Sequence, residues 1–112
     1  MKFNPGETYY YSGNELYPEI IFLSEGLSFN DKLFLFKFLD NNEILYIVPN
    51  RLYMVHYNKE SALKVYFELE IKFYIKNLNN LEFGTYTGIT ERINFFKKRL
   101  QKLSYEYPEE FI

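Results

Sequence analysis

Cysteine and tryptophan are absent from this 112-residue chain, alanine occurs once (Ala62) and histidine once (His56). Without cysteine there is no disulfide, thiol nucleophile or zinc–thiolate site. A single histidine excludes a multi-histidine metal centre, and on an apolar stretch between Val55 and Tyr57 it reads as a structural residue. Scarce alanine argues against a helical bundle. Gly6 and Gly13 lie too far apart for a phosphate loop, and no serine sits in a nucleophile elbow. The formal net charge of −2 gives no global basic field that would draw the chain to nucleic acid. No apolar run approaches the length of a membrane span. Met1–Glu7 lacks the apolar core of a signal peptide. The expectation is a cytoplasmic protein with no cofactor, no metal, no membrane partner and no catalytic residue.

Aromatics are plentiful: 12 Phe and 12 Tyr make 21% of the chain. Phe, Tyr, Ile, Asn and Lys have AT-rich codons, which suits a bacterial, phage or mobile-element origin. Phe and Tyr also favour strands.

Residues 63–76 alternate without a break. Leu63, Val65, Phe67, Leu69, Ile71, Phe73 and Ile75 are apolar, and the residues between them are charged or tyrosine. Period two predicts one long strand with a wet face of Tyr66, Glu68, Glu70, Lys72 and Tyr74. Lys64, Glu68, Lys72 and Lys76 are four apart, a helical stripe, but Val, Ile, Phe and Tyr outweigh it. Further strands are expected at Thr8–Ser12, Glu19–Ser24, Lys32–Asp40, Glu43–Val48, Arg51–Tyr57 and Leu81–Tyr86, with turns at Asn41-Asn42, Pro49-Asn50, Asn58–Ser61 and Asn77–Asn80.

After Gly88 the period changes. Ile93, Phe96, Leu100, Leu103 and Tyr107 recur at spacings of three and four, predicting an amphipathic helix over about 90–107 with Thr90 as its cap. Pro108 stops it, leaving a loose tail over 108–112. The fold class is then mainly β plus one helix: a single domain whose six or seven antiparallel strands form a small barrel or sandwich closed by the C-terminal helix. This order of elements is similar to that of pleckstrin-homology-like domains, an architectural resemblance carried by no motif.

The helix has the clearest charge asymmetry. Arg92, Lys97, Lys98, Arg99 and Lys102 fall between positions 92 and 102 without an acid, so the rest of the chain carries −7. A helical wheel puts Phe95, Lys98, Arg99 and Lys102 opposite the apolar stripe. Such a face can grip an acidic protein surface, or hold phosphates and stack a base. A second candidate contact is Tyr9, Tyr10 and Tyr11, since exposed tyrosines make good anchors. A third is Tyr66 and Tyr74 on the alternating strand. Glu70-Ile71-Lys72 resembles the Glu-x-Lys part of a metal-dependent nuclease site, with Asp40 as a second carboxylate, but any strand with one wet face produces that spacing. Tyr86–Thr90 faintly resembles a GIY-YIG nuclease signature, but the glycine that should precede Tyr74 is missing.

The reading is a small non-enzymatic protein that binds a protein partner as a steric inhibitor or immunity protein. Its alternatives are a nucleic-acid-binding module using the basic helix and a metal-dependent nuclease. A homodimer is conceivable through the long strand, if its edge is uncovered.

Overall fold

A computed structural model describes residues 2–78 and 86–111. They form a mixed α/β protein: a five-stranded antiparallel sheet and two long helices. The strands are β1 (Thr8–Tyr11), β2 (Glu19–Ser28), β3 (Asp31–Phe38), β4 (Ile44–Ile47) and β5 (Val55–His56). The helices are α1 (Lys59–Lys76) and α2 (Tyr86–Glu106). The chain divides into two compact units, Met1–Ala62 and Leu63–Ile112, with the division just after the first turn of α1.

The first unit is the sheet, in the order β4-β3-β2-β1-β5. It is open, with β4 and β5 at its edges, so the expected barrel does not form. Its centre is the β2–β3 hairpin, in register from Ile20↔Phe38 to Ser28↔Asp31 with a bulge between Phe22 and Ser24. One face carries Tyr9, Ile20, Phe22, Phe34, Phe36 and Ile47, which Phe3 and Val55 join in a buried core. The core is largely aromatic: Phe3 stands edge-on to Tyr9 at 5.1 Å and to Phe36 at 5.2 Å, geometries that the ring quadrupole favours. Residues 51–57 do not make a full strand. Pro49 opens a short 3-10 helix, Pro49–Met54, as proline does in a first turn, and only Val55 and His56 pair with β1. At Asn41-Asn42 only Asn42 is left-handed (φ +60°). The connection is therefore wider than a two-residue type I′ loop, with Phe38 N donating to Glu43 O at 2.9 Å.

The larger correction is α1, which occupies the residues read as a long strand. The alternation was real, but Tyr66 and Tyr74 belong with the apolar set. Leu63, Tyr66, Phe67, Ile71 and Tyr74 are spaced three, one, four and three, and all five pack in the second unit's core with Phe96, Leu100 and Leu103. Asn58 caps the helix: its Oδ1 accepts the Ser61 N–H at 2.8 Å. Asn77 closes the other end by donating from Nδ2 to Phe73 O at 2.8 Å. No edge strand exists over 63–76 to support self-pairing there.

The α2 stripe holds through Leu103, with Ile93, Phe96 and Leu103 buried and Leu100 partly so, but Tyr107 lies beyond the helix end at Glu106 and is exposed. The helix starts four residues before Thr90, which is therefore internal and not its cap. The expected strand over 81–86 falls largely outside the described residues, and Tyr86 begins α2. A short 3-10 turn, Pro108–Phe111, follows the helix, and Phe111 packs against the helical core.

Candidate functional site

The helical unit carries a ladder of arginines and aromatic rings. Arg92, Phe95 and Arg99 are three and four residues apart, and so stack along one side of α2. The Arg92 guanidinium lies 5.7 Å from the Phe95 ring centre and the Arg99 guanidinium 5.4 Å from it, one on each helical turn. Each arginine also covers a buried ring: Arg92 over Phe96 at 5.3 Å and Arg99 over Phe67 at 5.3 Å. Cation–π attraction favours these positions. It holds two long side chains in place, which lowers the entropy lost when they bind something. A side-chain hydrogen bond to Tyr74, and the charge of that group, raise the Arg92 pKa above its ordinary value; Glu70 and Tyr66 add to this and desolvation opposes it.

Phe95 remains 43% exposed between the two guanidiniums. Lys98 and Lys102 are exposed on the same helix. Among the described residues neither lies in an ion pair. Beside them is an open groove of about 320 Å³, lined by Leu63 and Phe67 of α1 and by Arg99, Lys102, Leu103 and Glu106 of α2. The groove has an apolar floor, two cations and one carboxylate. Arg92, Leu63, Phe67 and Glu106 are site residues that the wheel alone did not single out. Arg92 was visible as a cation, but its stacking depends on Tyr74 and Phe96 being helical neighbours.

The other expected contacts are placed differently. Tyr9 is a core residue, 1% exposed, whose hydroxyl accepts from Asn4 N at 2.8 Å and donates to Glu7 Oε2 at 3.3 Å. Tyr10 and Tyr11 are half-buried, and Tyr11 packs edge-on against Phe38 at 6.0 Å. Tyr66 and Tyr74 are half-buried and ring Phe96 at 6.1 and 6.0 Å. They support the ladder from beneath and are not the wet face of a strand. Glu70 and Lys72 lie on α1, where a spacing of two turns side chains well apart, so the same-face geometry of the nuclease reading is not met. Among the described residues no group of three or more His, Cys, Asp or Glu could hold a metal ion, and no helix is long and apolar enough to cross a membrane.

The sheet unit carries an open pocket of about 470 Å³ lined by Leu16, Tyr17, Pro18, Glu19, Leu39, Asp40 and Lys59. It sets two carboxylates and an ammonium around apolar walls, with no nucleophile beside a base. Comparison with protein-family models, curated proteins and solved structures finds no match.

Proposed function

We propose that this chain is a non-enzymatic binding protein that covers a functional surface of a protein partner, in the manner of a steric inhibitor or immunity protein. The carrying observation is the α2 face: Phe95 held between Arg92 and Arg99, beside a groove that joins Arg99 and Lys102 to apolar Leu63, Phe67 and Leu103. Arginine and aromatic residues in a preorganised patch are the usual carriers of interface energy. The five cations between positions 92 and 102 select an acidic counter-surface and speed the encounter. The apolar groove then receives a side chain from that surface.

Nucleic acid is the second reading, since an exposed ring flanked by cations can stack a base and hold phosphates. Glu106 favours protein: its carboxylate lines the groove, where it repels phosphate and is tolerated by a protein side chain. The test compares the native chain with K98E/K102E as baits in nuclease-treated lysate of the source cells. The expected result is a protein retained by the native chain at moderate salt and lost from the double variant. Equal retention by both chains contradicts the proposal. Retention seen only in a parallel lysate without nuclease treatment transfers the face to the second reading.

A further inference from the structure

The β2–β3 hairpin is longer than its neighbours. β1 pairs with β2 only over Glu19–Ile21, and β4 pairs with β3 only over Phe34–Lys37. Beyond these, residues 26–28 and 31–33 pair only with each other, an extension of about 10 Å. Phe29 and Asn30 form its tip with φ of +52° and +69°, as a two-residue type I′ loop requires. Asparagine and glycine suit those positions. A bulky L residue is strained there, because its Cβ crowds the carbonyl oxygen. Phe29 is also 97% exposed, and Leu27 beside it is 77% exposed. Two unfavourable features therefore meet at one residue, a left-handed backbone and an apolar ring in water, and the fold gains no burial from either.

We infer that the hairpin tip is a second binding surface, in which Phe29, seconded by Leu27, inserts into an apolar pocket with a basic rim on a protein partner. Local charge selects that occupant. Lys32 pairs with Glu25 at 3.3 Å and lies over Phe34 at 5.3 Å, so the tip's net charge is that of Asp31. A net negative tip is repelled by an anionic bilayer, and two apolar side chains are too few for stable membrane anchoring. A narrow turn presenting one ring matches a concave pocket better than a flat surface. This surface lies in the sheet unit and does not rest on the α2 reading.

Two measurements test it on the full chain. In the first, F29N is expected to melt above the native chain, by about 4 °C, because asparagine relieves the strain and no packing is lost. A melting temperature at or below the native value overturns the inference, since Phe29 would then serve the fold. In the second, a Phe29→p-benzoylphenylalanine chain is irradiated in lysate of the source cells. The expected result is an adduct with a different protein whose cross-linked peptide is apolar and flanked by Lys or Arg. Excess native or F29W chain should suppress that adduct about tenfold or more, and excess F29N should leave it. No adduct, an adduct of the chain with itself, equal competition by F29N, or Phe29-dependent retention on phosphatidylcholine–phosphatidylserine vesicles each overturns it. Should K98E/K102E lose the partner while F29N keeps it, this inference fails and the α2 reading stands.

Discussion

Phe95 and Phe96 sit side by side on α2, with ring centres 5.2 Å apart, and they do different work. Phe96 is 2% exposed and meets Tyr66, Phe67 and Tyr74. Phe95 lies between two guanidiniums on the surface. Replacing Phe96 by alanine removes a packed ring and leaves a cavity, so F96A should cost about 3–5 kcal/mol. F95A removes a half-exposed ring and should cost about 1 kcal/mol or less, while weakening partner binding. Urea unfolding of both variants checks the contrast, and similar costs would mean that Phe95 is part of the core. Arg92 yields a second prediction at this scale. Its pKa is raised by Tyr74, so the protonated form is the one the fold favours. The stability from that contact is fully present below the ordinary arginine pKa and is lost only above the raised one. Between pH 6 and 9, then, Arg92 should contribute no slope to stability. Urea midpoints of the native chain and R92Q should run parallel across that range; a gap that widens with pH would contradict the assignment.

Among the elements, α1 depends on a cap that is easily read as a turn residue. Asn58 Oδ1 takes the Ser61 N–H, and N58A should lose about 1 kcal/mol, whereas N58D, which keeps the acceptor, should stay close to native. Circular dichroism during urea unfolding separates them; equal loss in both would mean that the side-chain acceptor is not what starts the helix. The same element explains where reading from the sequence stops. β1 to β4 were legible because Gly, Pro and Asn punctuate runs of Tyr, Ile and Phe. The α2 stripe was legible because its apolar residues are unambiguous. The α1 pattern was not, because tyrosine is apolar in its ring and polar at its tip. Counted as polar, Tyr66 and Tyr74 complete a period of two; counted as apolar, they complete a stripe near 3.6. The hairpin tip was missed because the strand was expected to end at Ser24, whereas Glu25 to Ser28 continue the ladder and Gly26 pairs with Leu33 inside it. Of the candidate contacts, the cations and Phe95 followed from the helical wheel. Their stacking on Phe67 and Tyr74 did not, since both rings lie on α1.

Across the whole molecule, charge is unevenly distributed. Five cations cluster between positions 92 and 102 of a chain whose remainder is −7. Binding through that face should weaken as salt rises, because exposed charges more than about 10 Å apart are screened at 0.1 M ionic strength. Contacts at an apolar hairpin tip should respond much less. The most direct measurement is the dissociation constant of the captured partner for the native chain and for K98E/K102E, in nuclease-free buffer at two salt concentrations, with circular dichroism confirming that both chains are folded. The account predicts a constant at least about tenfold weaker for the double variant, with the native chain's salt dependence largely abolished. A constant within twofold of native, with the same salt dependence, would contradict it.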